Sequence, residues 1–505
     1  MKKIIFTVMA FTAVTFSFAQ TVSDGLRYST DNTNGTARFQ AMSGAFGALG
    51  GDLSSVGINP AGSAIFIQNS ATISFAVNDS ENDATYFNNT TTGVDTDFSL
   101  NQAGGVFVFT NPNEESRWKK FTLSINYDNT NNYDDEIFVR GTGNTSIAQF
   151  FLAQAQGIPL DLLQLQAGET IDDLYAFLGQ TEGVSAQNAF LGFQGFIFDP
   201  VTNDPNNTEY ISNIANGSFN QEFSVNTEGY NGKFTFNAAA QYGNDFYFGI
   251  NLNSHTIDYN RSNFLFETNS NSGSTTNQVA FQNNLSVLGA GFSAQVGAIA
   301  KLGDSFRLGI TYDTPTWYTI SEETTQFLET RRTENDQTFI ATVDPQVINV
   351  FQEYDLQTPG KIAASAAYIF GKKGLISFDY SYKDYSAIEF GPTNDPFFST
   401  QNSLIETTLK GASTYRLGGE YRINNLSLRG GYHYEESPYQ NELTVGDING
   451  FSLGFGYNFG NYTFDLAYSR SEQDRNRQLY QVGLTDSAAV NAVYSNLVFT
   501  LAFSL

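Results

Sequence analysis

From Ser70 to the C-terminus, apolar and polar residues swap with period two. That period places them on opposite faces of a strand. Phe306, Leu308, Ile310 and Tyr312 alternate with Arg307, Gly309, Thr311 and Asp313. Tyr462, Phe464, Leu466 and Tyr468 alternate with Thr463, Asp465, Ala467 and Ser469. About fourteen such segments are predicted, centred near Phe75, Phe107, Ile125, Phe236, Ile250, Val296, Ile310, Ala366, Tyr380, Leu417, Leu428, Phe455, Leu466 and Leu501. The fourth is expected to begin near Phe219 and to bend at Gly229-Tyr230-Asn231-Gly232.

The connections sort into two kinds. Short turns are predicted at 111–113, 243–244, 302–304, 371–374, 423–425 and 460–461. Between them lie connections of about 10 to 90 residues, rich in Asn, Thr, Ser, Asp and Gly. Strict alternation of short and long is the pattern of an up-and-down sheet with tight turns at one end. A soluble sandwich would treat both ends alike. The apolar face is also strongly aromatic, as membrane-interface girdles are. The reading is an all-β transmembrane antiparallel barrel over residues 68–505, closed so that no sheet edge meets lipid.

Composition narrows the function classes. The 505 residues include only 15% charged and 15% aromatic side chains, and the net charge is −26. Such acidity argues against a phosphate-binding nucleic-acid partner. No Cys and two His argue against disulfides, Cys nucleophiles and His-rich metal sites. Residues 1–19 read as a leader: Lys2 and Lys3, a mostly apolar run from Ile4 to Phe16, and Ser17-Phe18-Ala19 as the cleavage site. Cleavage would leave Gln20 first. No later apolar stretch is long enough for a spanning helix.

With the apolar face outward, the lumen receives the polar set. Candidate lumen residues are Arg307, Lys361, Asp379, Arg416, Glu420 and Arg429, with Tyr247, Asn251, Asp313, Lys383, His433 and Asp465. They either brace the wall by pairing across strands or line a substrate path. His255 and His433 read most simply as lumen residues.

Two regions are not strand-like. Residues 20–67 are a compact segment able to reach into the barrel and plug it. There Met42, Phe46 and Leu49 lie at helical spacing, with Gly44, Gly47 and Gly51 as a small face. Asp52, Ser54 and Ser55 could cap a second helical turn, and Asn59-Pro60 would mark a stop. The second region, about 130–217, is the longest connection. Its apolar residues include Phe150, Phe151, Leu160, Leu163, Leu174, Phe177, Leu178 and Phe190. Exposed surface this apolar needs a reason. It is either a helical lid packed on itself or a capture groove for apolar molecules.

The run Arg38 to Asp52, followed by Asn59-Pro60-Ala61-Gly62, resembles the N-terminal hatch of the FadL/TodX family of outer-membrane transporters. Arg307 to Tyr312 with Thr314-Pro315-Thr316, Thr358 to Lys361, and Arg416 to Tyr421 resemble its Bacteroidetes branch. The resemblance implies fourteen strands and a hatch gated around Asn59, Pro60, Ala61 and Gly62. It also implies passive uptake of hydrophobic molecules, with long-chain fatty acids favoured. In that family a kink in the third strand opens a lateral gap. Here Lys120 to Asp128 contains neither Gly nor Pro, so nothing in the sequence marks a kink. The resulting expectation is a monomeric outer-membrane transport protein without enzymatic activity or cofactor. Its partners would be fatty acids, lipopolysaccharide and other membrane lipid, and the barrel-assembly machinery. A small-solute porin or a surface barrel is the alternative, and a haem receptor less so.

Overall fold

The computed structural model describes residues 20–505, so the leader reading over 1–19 lies outside the described residues. Fourteen antiparallel strands close into a barrel. They are β1 (Ser70–Tyr86), β2 (Asn89–Thr110), β3 (Trp118–Asn132, continued by Asp135–Gly143), β4 (Phe219–Tyr242), β5 (Phe246–Thr268), β6 (Thr276–Leu302) and β7 (Phe306–Asp313, continued by Trp317–Glu334). Then follow β8 (Gln337–Val343, Asn349–Val350, Tyr354–Gln357 and Lys361–Ile369), β9 (Gly374–Asp384 with Glu389–Gly391), β10 (Gly411–Ile423), β11 (Leu426–Glu435), β12 (Val445–Asn458), β13 (Tyr462–Gln478) and β14 (Ser487–Ser504). The predicted centres fall one on each strand, in order. β1 and β14 close the cylinder from Ser70↔Ser504 to Thr85↔Ala489.

The two faces separate as the period requires. Ile310 on the outside is 61% exposed, whereas Asn251 on the inside is 0%. Aromatic side chains border the outer apolar band at both ends, as in interfacial girdles. Trp118, Tyr242, Phe459 and Tyr462 mark the short-turn end, and Trp317, Tyr382 and Tyr432 the other.

The connections differ from expectation at three places. Two of the expected long loops are tight two-residue turns, Phe87-Asn88 and Asn335-Asp336, with φ of 45°, 64°, 49° and 60°. Positive φ at both positions suits the twist of a hairpin. The Thr-rich arms on either side pair as strand, because β-branched Thr favours the extended backbone despite its polarity. The longest connection also starts later than residue 130, because Asp135–Gly143 pairs with β4 from Asp135↔Thr227 to Gly143↔Phe219.

The longest connection, 144–218, folds into a lid of three helices, Ala148–Ala155, Ile171–Thr181 and Val184–Gln194, with a small hairpin, and the connection from β9 to β10 carries another helix, Pro396–Thr408. Its apolar side chains form one core with Phe223, Phe281 and Leu328 from the strand arms beneath.

Candidate functional site

Residues 20–67 sit within the barrel, and their backbone lies against the wall. Short elements carry them: α1 (Val22–Arg27), α2 (Ala37–Gln40) and two 3₁₀ turns, Ser54–Gly57 and Pro60–Ile65. The helix expected over Met42, Phe46 and Leu49 does not form. After Gln40 the chain turns left-handed at Ser43 (φ 49°) and Gly44 (φ 76°), and the Gly44 amide returns to the Phe39 carbonyl at 3.0 Å. Such a bend ends a helix. The three side chains nonetheless cluster with Phe39 against Ala367 and Leu375 of the wall.

Asn59 likewise begins a turn instead of stopping one. Its Oδ1 accepts from the Ala61 amide at 3.1 Å, with Pro60 in the first position, where a missing N–H costs nothing. Its Nδ2 donates to the Gly47 carbonyl at 2.8 Å and to the Ala298 carbonyl of β6 at 3.1 Å. Ala61 and Gly62 are buried behind it. Asp52 accepts from the Ser54 amide at 3.0 Å and from the Thr36 hydroxyl at 2.8 Å. Burial pushes its carboxyl up, against the pull of Arg38.

Polar bonds tie this plug to much of the circumference. The Ala37 amide donates to Thr500 of β14 at 2.7 Å, and the Gly47 amide to Asp379 of β9 at 2.8 Å. Arg307 of β7 donates to the Leu49 carbonyl at 2.7 Å. Asn237 of β4 and Asn251 of β5 reach the Pro60 and Val56 carbonyls at 2.9 and 2.8 Å. Arg38 donates to Glu420 of β10 at 2.9 Å. Glu420 is fully buried and also accepts from Arg429 at 2.7 Å and pairs with Arg422 at 2.5 Å; Arg429 continues to Asp465 at 2.5 Å.

Of the six candidate lumen residues, Arg307, Asp379, Glu420 and Arg429 therefore belong to the plug contact or its immediate support. Lys361 instead pairs with Asp313 at 3.1 Å, and Arg416 with Glu435 at 3.3 Å. His255 meets Ser293 at 2.9 Å and the edge of the Tyr318 ring. Asn251 was among the expected lumen residues, but the amide side chains Asn237 and Gln295, which also reach the plug, were not singled out from the sequence. The inward glycines were missed too. A Cβ on Gly249 would lie 2.3 Å from the Pro60 carbonyl carbon, and one on Gly309 would lie 2.3 Å from the Gly47 oxygen. Glycine in a strand interior often marks such a backbone approach.

Above the plug lies a cavity of about 930 Å³, within the range of small-ligand pockets. Ile137, Phe150, Val225, Leu479, Tyr480 and Val490 form its apolar part, at the edge of the lid core. Arg27, Arg261, Arg475 and Arg477 also face it. Arg27 is held by Asp24 at 2.5 Å, and Arg475 by the Tyr494 hydroxyl at 2.7 Å. Among the described residues, the Arg261 and Arg477 side chains donate no hydrogen bond and close no ion pair within 4.0 Å, although Arg261 lies within electrostatic reach of Asp24 and Glu322.

The eight lid candidates do not line an open groove. Phe151, Leu160, Leu163, Leu174, Leu178 and Phe190 are buried in the lid core, Phe177 is exposed, and Phe150 alone of the eight lines the cavity.

The wall is discontinuous beside this cavity. The β2–β3 ladder ends at Gln102↔Asp128. Immediately beyond, β3 bulges between Asn129 and Asn131, then breaks at Tyr133-Asp134. Higher up, side chains bridge the two strands, with Asn89 Nδ2 donating to the Arg140 carbonyl at 2.8 Å. Asp95, Asp97, Asn131, Asn132 and Asp134 line both the break and the cavity. So β3 is kinked without Gly or Pro, which a bulge does not require.

The sequence model of the family described as "Outer membrane protein transport protein (OMPP1/FadL/TodX)" matches residues 195–503. The chain belongs to this family. As a FadL/TodX member it is an outer-membrane transport protein for hydrophobic compounds, with its short turns on the periplasmic side. A Pseudomonas aeruginosa FadL homologue has a similar fold, with 12% identity, a TM-score of 0.52, and coverage of 94% of this chain and 99% of that one. The P. putida toluene transporter TodX is similar at 12% identity and a TM-score of 0.50, over 94% and 99%. No curated protein sequence matches the chain.

Proposed function

We propose that this barrel takes up amphipathic molecules with a hydrocarbon tail and a carboxylate head, long-chain fatty acids being the fitting class. The observation that carries this reading is the cavity above the hatch, where an apolar side faces two arginines whose side chains close no ion pair among the described residues. A neutral hydrocarbon offers these guanidinium groups no acceptor, whereas a carboxylate accepts charge-assisted hydrogen bonds from them. Cargo collected at the lid passes Phe150 and settles with its head near Arg261 and Arg477. Release follows hatch movement around Asn59 to Gly62, and the break between β2 and β3 offers a sideways exit into the membrane. In this reading the flux runs down the gradient. A small-solute porin is disfavoured by a hatch bonded to so many strands.

The test is equilibrium binding of dodecanoate, dodecanol and toluene to the detergent-purified protein. Wild type is expected to bind dodecanoate at least about tenfold tighter than dodecanol, and Arg261→Gln/Arg477→Gln to erase that preference. Equal affinities in wild type would refute a carboxylate cargo.

A further inference from the structure

Lys361 of β8 and Lys383 of β9 stand directly opposite each other in the ladder. Like charges in that position destabilise a sheet unless each finds a counter-ion. Lys361 has one in the wall, Asp313 of β7, its ladder partner on the other side. Lys383 does not. Its ammonium donates to the Ser29 carbonyl at 2.6 Å and meets the Asp31 carboxylate at 3.4 Å. Both groups belong to the hatch. Burial alone would raise the Asp31 carboxyl, yet Lys383 and Lys361 hold it well below the usual carboxylate range. The Asp31 side chain is still 50% exposed and lines the cavity.

We infer that Asp31 occupies a carboxylate-binding site of the barrel wall at Lys383, and that the carboxylate of an incoming amphiphile takes its place. This rests on the carboxylate reading above and adds a site and an order of events. The residue after Asp31 shows what displacement would release. The Asn32 amide donates to the Thr130 carbonyl at 2.9 Å, and its side chain donates to Asn131 at 2.6 Å. Thr130 and Asn131 belong to the bulge where β3 parts from β2. One hatch dipeptide thus joins the cationic site on β9 to the rim of the sideways break. Exchanging one carboxylate for another at Lys383 frees the strap that holds this rim.

The chain has no cysteine, so a single Thr33→Cys reports on this strap. The readout is the rate of maleimide labelling of the full-length protein in detergent, with retained heat-modifiable gel mobility as the check on folding. Asp31→Asn should raise the rate about fivefold, the factor for one partly screened ion pair. Asp31→Ala serves as a second variant with the same expected direction. Dodecanoate should raise the rate in the parent and dodecanol should not. In Lys383→Gln, dodecanoate should no longer change it. An unchanged rate in both Asp31 variants would overturn the inference, as would a dodecanoate response that survives Lys383→Gln or is matched by dodecanol. The transport reading is judged separately, by protein-dependent fatty-acid flux in liposomes. Loss of that flux would refute transport whatever the labelling shows.

Discussion

The hatch and the lid are the two largest parts of this molecule that are not barrel wall, and they are held by different means. The lid has a continuous apolar core, from Phe151 and Phe190 down to Phe281 and Leu328 on the strand arms. The hatch shares one large apolar cluster at Leu26 and Tyr28, has small ones elsewhere, and is fastened by hydrogen bonds and ion pairs to β4, β5, β6, β7, β9, β10 and β14. Apolar burial is non-directional and is lost only by exposing surface to water. The hatch's polar bonds are directional and buried, so each is lost at small net cost only where its groups find new partners. On the proposed route, the lid is expected to stay folded while cargo passes its edge, and the hatch to move by exchanging polar partners.

Substitutions can break that contrast. The largest effect is expected from Gly249→Val, whose side chain would occupy the position of the Pro60 backbone. The strand itself tolerates a β-branched residue. The barrel should fold, lose hatch docking, and admit a small sugar in a liposome-swelling assay where wild type admits none. Phe190→Ala should destabilise the lid by about 3–5 kcal/mol, seen as faster proteolysis within 144–218, with no sugar leak. Glu420→Gln removes the carboxylate shared by Arg38, Arg422 and Arg429. Breaking a buried pair of this kind costs about 3 kcal/mol. Because other bonds share the load, intermittent sugar leakage is the expected readout. Asn59→Ala is the mildest, losing a cap worth about 1 kcal/mol, and should show as a modest rise in hatch labelling without measurable leak.

The sequence exposes the lid and the wall more readily than the hatch, for a physical reason. Strand alternation is imposed residue by residue by the contrast between lipid and lumen, so Phe306 to Asp313 or Tyr462 to Ser469 can be read directly. The arms around Phe87-Asn88 and Asn335-Asp336 rise beyond that contrast, and their Thr and Asp content reads as loop although the backbone pairs. In the hatch, the spacing of Met42, Phe46 and Leu49 suggests a helix, but left-handed backbone at Ser43 and Gly44 decides otherwise. The residues that receive the hatch are glycines and amides on strands, and alternation records them only as "not apolar". The pairing of Asp31 with Lys383 spans 352 positions and leaves no local mark at all.

The most direct test of the central claim, a closed barrel that passes hydrophobic carboxylates, is a paired flux measurement on the purified protein in liposomes. One arm follows a labelled long-chain fatty acid, with empty and lipopolysaccharide-containing liposomes correcting for spontaneous flip-flop. The other follows swelling in a small sugar. Protein-dependent fatty-acid flux without sugar flux is the predicted result. Sugar flux without fatty-acid flux would contradict the account and make the chain an open pore.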